Sequence, residues 1–195
     1  WMVARDHSWV VGDFVWTGYD YLGEAGIGWY GFTGEHLWTV AYCGDLNLIG
    51  DKRPQSYYRD VLWSDQPQVS AFVHNPEHSF GIEPGWDWRW RDVWPSWTWP
   101  GMEGRDMDVE VYSNCEKVTL KLNDREIGTQ PVSRETRYTA RFKVPYQPGT
   151  LKAIGYRNGQ MTDEWKLVTA GAPAKIILHP QRRKIQANGS DLCYV

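Results

Sequence analysis

Alternation of apolar and polar residues, repeated between residues 107 and 167, limits the folds open to this chain more than any other feature. Met107, Val109 and Val111 alternate with Asp108 and Glu110. Val118, Leu120 and Leu122 alternate with Thr119 and Lys121. Tyr138, Ala140, Phe142 and Val144 alternate with Thr139, Arg141 and Lys143. Leu151 and Ala153 flank Lys152, and Trp165 and Leu167 flank Lys166. Successive side chains of an extended strand point to opposite faces, so a period of two is the mark of a half-buried antiparallel strand. Turn chemistry separates these runs: Asn123-Asp124, Pro148-Gly149 and Asn158-Gly159. Asn-Gly tolerates the two positive φ angles of a tight hairpin. Short strands at this spacing predict a small β-sandwich of immunoglobulin type, without the Cys…Trp…Cys spacing of its disulfide-bonded members.

The first part of the chain has a different texture. Val10 to Trp16 is a nearly unbroken apolar run, the pattern of a parallel strand covered on both faces. A Gly- and Tyr-rich loop follows, Thr17 to Glu24. A helix is predicted from Arg53 to Trp63, with Pro54 suited to its first turn and Tyr57, Tyr58, Val61 and Leu62 on one face. One strand, a loop and one helix do not make a domain, since a parallel strand needs partners on both sides. The expectation is a piece of a larger fold. Beyond Thr169-Ala170-Gly171-Ala172-Pro173 the alternation restarts at Ile176 and Leu178, and Leu192 to Val195 reads as a further strand. The expected organisation is therefore a fragment of one domain over residues 1–65, a linker and sandwich over 66–171, and the start of another β domain over 172–195.

Composition narrows the function. The net charge of -3 argues against nucleic acid or an anionic membrane surface, both of which need a basic face; the one basic run, Arg182-Arg183-Lys184, reads as a solvated patch. No stretch of about 18 apolar residues is present, so no membrane span is expected. Cys43, Cys115 and Cys193 fit no metal spacing. His74 and His78 stand in a His-x-x-x-His spacing, but Pro76 opposes a helix there and no third ligand is evident; a polar loop is expected, with no metal and no cofactor.

The chain has 13 Trp. That density suits either an aromatic β-rich core or the handling of sugars, whose C–H faces lie against indole rings. Many of these residues fall between Gly85 and Pro100. Extended, Trp86, Trp88 and Trp90 share one face and Arg89 and Arg91 the other. The run reads either as a glycan platform or as a seam between domains, with arginines stacked on indoles.

Three stretches, in order, resemble family 2 glycoside hydrolases of the β-galactosidase type. Val10-Val11-Gly12-Asp13-Phe14-Val15-Trp16-Thr17-Gly18-Tyr19-Asp20-Tyr21-Leu22-Gly23-Glu24 is similar to the family's last barrel strand and following loop. Cys43-Gly44-Asp45-Leu46-Asn47-Leu48-Ile49-Gly50-Asp51-Lys52-Arg53-Pro54, with Tyr57, Tyr58 and Trp63, resembles the segment into its last barrel helix. Trp97-Thr98-Trp99-Pro100-Gly101, Val111 to Cys115, Val144 to Gly149 and Thr169-Ala170-Gly171 resemble its immunoglobulin-like domain. The resemblance implies a mainly β fragment, a sandwich preceded by the last strand, loop and helix of a (β/α)8 barrel. It implies a periplasmic or secreted bacterial enzyme acting on β-galactosides or related carbohydrates, whose other partner is the remainder of its own polypeptide. Trp16, at the C-terminal end of the barrel strand, would wall the sugar site, with Tyr19, Asp20 and Glu24 as further candidates; barrel-top packing for Trp16 and a loop brace for Asp20 are the structural alternatives. The two carboxyl groups of a retaining glycosidase, about 5 Å apart, would precede Trp1, so this chain carries no catalytic residue.

Overall fold

The computed structural model describes residues 2–23, 40–77 and 90–195. Met2–Asp6 is a short helix, α1. Tyr21–Leu22 (β1) and Val40–Ala41 (β2) pair antiparallel, and Pro54–Trp63 is helix α2. The strands that follow are Val69–His74 (β3), Val93–Trp94 (β4), Asp106–Ser113 (β5), Lys117–Leu122 (β6), Arg125–Pro131 (β7), Thr139–Pro145 (β8), Thr150–Arg157 (β9) and Gln160–Val168 (β10). Among the described residues no helix is long and apolar enough to cross a membrane.

The alternating runs form the sandwich. Two antiparallel four-stranded sheets, ordered β4-β3-β5-β8 and β10-β9-β6-β7, bring their inner faces together. Val109 and Val111 of β5 and Val144 of β8 meet Val118 and Leu120 of β6 and Leu151 of β9 in one core. Trp97 lies wholly inside it, its Nε1–H donating to the Gln147 carbonyl at 2.9 Å and its ring packed edge-on against Tyr146 at 5.0 Å. Full burial of an indole works here because its single polar atom has a partner. The hairpin turns have the expected chemistry: Asn123 and Asp124 take φ of 49° and 65°, and Asn158 and Gly159 take 52° and 75°, the two left-handed positions of a type I′ turn. Asn123 also braces the neighbouring turn, accepting from Thr150 N–H at 2.9 Å and donating to Pro148 O at 3.1 Å.

Strands β3 and β5 are buried on both faces. Their inner residues enter the sandwich core; Phe72 and Tyr112 point outward and pack with Val61 of α2 and Val93. Tyr58 meets Tyr112 edge-on at 5.3 Å and Trp90 at 5.5 Å. The helix thus covers the outer face of one sheet. This overturns the solvated polar face expected of β5, because Glu110 is 1% exposed. Its carboxylate takes a hydrogen bond from Arg141 Nε at 3.1 Å and one from the Tyr112 hydroxyl at 3.0 Å, with His74 Nε2 at 3.4 Å and Arg91 Nε at 3.5 Å. Burial pushes the Glu110 carboxyl up, but the His74 hydrogen bond and the charges of Arg91 and Arg141 outweigh it and hold the group below its ordinary range. His74 therefore ends a strand and faces a carboxylate, where a polar loop was expected; His78 lies outside the described residues.

Three expected strands are absent, one at Val10 to Trp16 and two within residues 172–195. Val10 to Trp16 runs outside any strand, with Val11 and Phe14 fully exposed; the described residues supply no neighbouring strand to pair with it, and an unpaired extended run makes no ladder. Residues 172–195 also carry no strand, with Ile176 and Leu178 exposed. Apolar alternation there finds no sheet to join.

Candidate functional site

The candidate residues lie where Thr17 to Asp20 runs beside Cys43 to Leu46. Asp45 N–H donates to Thr17 O at 3.0 Å, Leu46 N–H to Gly18 O at 2.9 Å, and Asp20 N–H to Leu46 O at 2.8 Å. This is a short parallel ladder, with Tyr19 bridged to Leu46. Gly44 makes it possible. A Cβ there would stand 2.1 Å from Asp20 N and 2.3 Å from Tyr19 C, inside any allowed contact, so the two segments approach this closely only across a glycine.

Asp20 fastens the ladder. Its Oδ1 accepts from Gly44 N–H at 2.7 Å and from Arg53 Nη1 at 2.9 Å, and its side chain is 2% exposed. The Arg53 guanidinium carbon lies over the Tyr42 ring, 3.4 Å from its centroid. Gln55 Nε2 donates to Gly44 O at 2.6 Å, and Arg59 pairs with Asp45. Burial pushes the Asp20 carboxyl above its ordinary value, more than the Arg53 charge and the Gly44 N–H pull it down. Of the two readings the sequence leaves for Asp20, this geometry is that of the brace: a carboxylate turned inward, positioning the chain around it.

Trp16 and Tyr19 face outward, 61% and 57% exposed. The Trp16–Thr17 peptide is cis. Trp16 Nε1–H donates to the Tyr21 hydroxyl at 3.0 Å, and the two rings meet edge-on at 6.2 Å and 85°. That bond fixes the indole's edge. Glu24, the remaining candidate, lies outside the described residues.

The structure thus brings Trp16, Tyr19 and Asp20 into one short segment but divides them: two aromatic rings outward, one carboxylate inward. Sequence reasoning missed Arg53, Gly44 and Tyr42, the partners that hold Asp20. A signal for them existed in the Cys43-Gly44-Asp45 stretch, where a glycine flanks residues that approach another segment closely.

The tryptophan-rich run divides likewise. Trp97 fills the sandwich core, Trp90 lies between α2 and β5 with its Nε1–H 3.3 Å from the Tyr112 hydroxyl, and Trp94 is half-exposed with its Nε1–H on Asp92 at 2.7 Å. Trp86 and Trp88 fall outside the described residues.

Residues 104–163 match a domain of unknown function, DUF4982. Over 194 residues the chain is 29% identical to the β-galactosidase BoGH2A of Bacteroides ovatus, covering 99% of this chain and 19% of that protein. It is 31% identical over 192 residues to a putative β-glucuronidase of Formosa agariphila, covering 97% of this chain and 16% of that protein. A crystal structure of a family 2 glycosyl hydrolase from Bacteroides cellulosilyticus matches at 45% identity and a TM-score of 0.87, covering 99% of this chain and 26% of that one. The chain therefore spans about a sixth to a quarter of the length of these relatives. Over nearly all of its residues, this chain is homologous to a segment of the family 2 glycoside hydrolases.

Proposed function

We propose that this chain is the C-terminal portion of a retaining glycoside hydrolase acting on β-linked sugars of the β-galactoside or β-glucuronide kind. One observation carries the reading: collinear similarity to family 2 glycoside hydrolases across 99% of the chain at 45% identity. Residues 1–65 then form the end of the catalytic barrel, 66–171 the tryptophan-rich linker and sandwich, and 172–195 the entry to a further β domain. The exposure of Val11, Phe14 and Val15 supports the first of these, because barrel neighbours would cover such residues.

In this reading Trp16 walls the subsite of the sugar being cleaved. Its exposed indole suits a pyranose ring, and barrel chemistry sits at the C-terminal ends of the strands. Tyr19 extends the rim, Asp20 positions both, and Glu24 remains a candidate beside them. The nucleophile and the acid/base belong to barrel residues outside this chain, as a pair about 5 Å apart. Asp20 does not replace either, since its carboxylate is held by Arg53 and Gly44. A non-catalytic glycan-binding module built on the tryptophan run is less well supported, because Trp97 and Trp90 are used in packing.

The test is hydrolysis of chromogenic β-galactosides and β-glucuronides by the longer protein that carries this chain. Turnover of one of them is expected; a full panel left untouched overturns the reading. The 195 residues alone are expected to turn over none.

A further inference from the structure

Helix α2 is engaged on two opposite sides. At about 100° per residue, Gln55 and Arg59 stand about 40° apart on it, and Tyr57 and Val61 fall roughly opposite them. The first side grips the ladder beside Trp16. Gln55 Nε2 donates to Gly44 O at 2.6 Å, Arg59 pairs with Asp45, and Arg53, at the helix N-cap, reaches Asp20 at 2.9 Å. The second side is seated on the sandwich. The Tyr57 ring lies 5.5 Å from Phe72, Val61 is buried against Phe72 and Tyr112, and the Tyr58 hydroxyl donates to Arg137 O at 2.9 Å.

One sandwich side chain holds the far end of the helix. Asn114, in the turn between β5 and β6, donates from Nδ2 to Ser64 O at 2.9 Å and to Gln66 O at 3.0 Å, and its Oδ1 accepts from Gln68 N–H at 2.9 Å. Ser64 is the C-cap of α2, so a single amide satisfies three backbone groups of the connection that leaves the helix, where carbonyls and N–H groups lack helical partners. A helix of ten residues is about 15 Å long and hydrogen-bonded along its length. It moves as a rod. Contacts that fix its C-terminal end and its apolar side on the sandwich therefore also place its N-terminal end, where Arg53 and Gln55 hold the ladder. Thr17 is tied into that ladder through its carbonyl, 3.0 Å from Asp45 N, and Trp16 is the residue before it.

We propose that the sandwich positions the Trp16 wall of the sugar site through α2, with Asn114 and Tyr58 as positioning residues at the sandwich end and Gln55 and Arg59 at the ladder end. The proposal rests on the reading of Trp16 as that wall. Positioning of this kind is a coupling free energy between two places in the chain, and a double-mutant cycle reads it directly.

The test is made on the longer protein that carries this chain. Hydrogen exchange followed by mass spectrometry reads the ladder without reference to activity. Asn114→Ala and the milder Tyr58→Phe, which keeps the ring and removes the hydroxyl, should each speed exchange over residues 17–20 and 43–46 by about 3- to 10-fold, the size of one hydrogen bond, with β5 and β8 unchanged. Leu120→Ala is the control: it opens the sandwich core, which α2 does not enter, and should lower Tm while leaving ladder exchange and KM as in the wild type. On a chromogenic β-glycoside the two positioning variants should raise KM by about 3- to 10-fold with kcat little changed, whereas a fraction of unfolded enzyme would lower kcat alone. In a Trp16→Ala background, Asn114→Ala should cost no further kcat/KM. Ladder exchange equal to wild type in both variants, the same acceleration in Leu120→Ala, or full additivity of Asn114→Ala with Trp16→Ala overturns the proposal. A wild-type protein that hydrolyses no glycoside overturns the sugar-site reading instead, and the exchange data then still decide whether the sandwich positions Trp16.

Discussion

The sandwich and the segment before it divide apolar and charged residues in opposite ways. The sandwich buries its large side chains almost completely, Trp97, Tyr112 and Tyr146 among them, and surrounds its one deeply buried carboxylate, Glu110, with Arg91, Arg141 and His74. Residues 9–22 leave Trp9, Val11, Phe14, Trp16 and Leu22 exposed and fasten residues 43–46 through Asp20, which is paired with Arg53. One region closes its own hydrogen-bond ladders and core. The other makes a ladder of a few bonds around Gly44 and leaves its apolar surface uncovered. Among the described residues the sandwich closes on itself, and the leading segment does not. The two carboxylates record the same division: surplus cations hold Glu110 low, whereas burial pushes Asp20 up.

The largest expected effect is at Trp97. Trp97→Ala removes a fully buried indole and frees the Gln147 carbonyl, and should cost about 3–5 kcal/mol of unfolding free energy. Chemical denaturation followed by near-UV circular dichroism measures it. A loss under about 1 kcal/mol would mean that the sandwich core is not what holds this region together.

Glu110→Ala comes close behind. Removing the carboxylate leaves Arg91, Arg141 and His74 facing one another under α2, and breaking a buried charge cluster from one side costs about 3–5 kcal/mol. Glu110→Gln keeps the shape and should cost less. The pH dependence separates charge from packing. The Glu110 carboxyl is held below its ordinary 4.5, so its contribution is present above that value and is lost as pH falls through 4.5 toward the folded value. Stability measured by denaturation below pH 4.5 should fall more steeply in the wild type than in Glu110→Gln. Asp20 works in the other direction: its carboxyl lies above its ordinary 3.8, so its contribution is greatest below that value and is lost as pH rises through the folded one.

The parts of this division that were legible in sequence are local. The hairpin turns at Asn123-Asp124 and Asn158-Gly159 follow from side chains that tolerate positive φ, and the inward set of β8, Ala140, Phe142 and Val144, follows from alternation. What escaped depends on contacts between distant residues. Strand β3, Val69–His74, is apolar on both faces because the sandwich core covers one and α2 the other, so it shows no period of two. Glu110 sits at a polar position of an alternating strand and is nonetheless buried, because α2 and Arg91 close over that face. The Asp20 brace joins residues 33 apart in the chain, and no spacing rule links them. Within the tryptophan-rich run, Trp97, Trp90 and Trp94 have three different surroundings, although the sequence around them is uniform.

Asp20→Asn and Asp20→Ala test the smaller region. Because Oδ1 accepts both the Gly44 and Arg53 hydrogen bonds and burial favours a neutral group there, Asn should change little, whereas Asp20→Ala removes the acceptor and should loosen residues 17–20 and 43–53 by about 1–3 kcal/mol, while the sandwich melts as before. Hydrogen exchange resolves the two regions: in Asp20→Ala, faster exchange at Asp20, Asp45 and Leu46 amides with unchanged protection in β5 and β8 is expected. Exchange accelerated equally in both would show one cooperative unit and erase the comparison.

Trp16→Ala should have the smallest effect on this chain and the most informative one. The indole is mostly exposed and its one described hydrogen bond, to Tyr21, is itself exposed, so the change in unfolding free energy should stay within about 0.5 kcal/mol. In the longer protein the same substitution should reduce kcat/KM on a chromogenic β-glycoside by about tenfold or more, equivalent to about 1.4 kcal/mol of lost transition-state stabilisation. A side chain that packs inside a barrel would behave the other way, with a large stability loss accounting for the lost activity. On the proposed role Trp16 gives its contact surface to the sugar, so its removal should leave the stability of the 195-residue chain unchanged. If the fragment loses more than about 2 kcal/mol, Trp16 is structural, and the leading segment is more self-sufficient than its exposed apolar surface indicates.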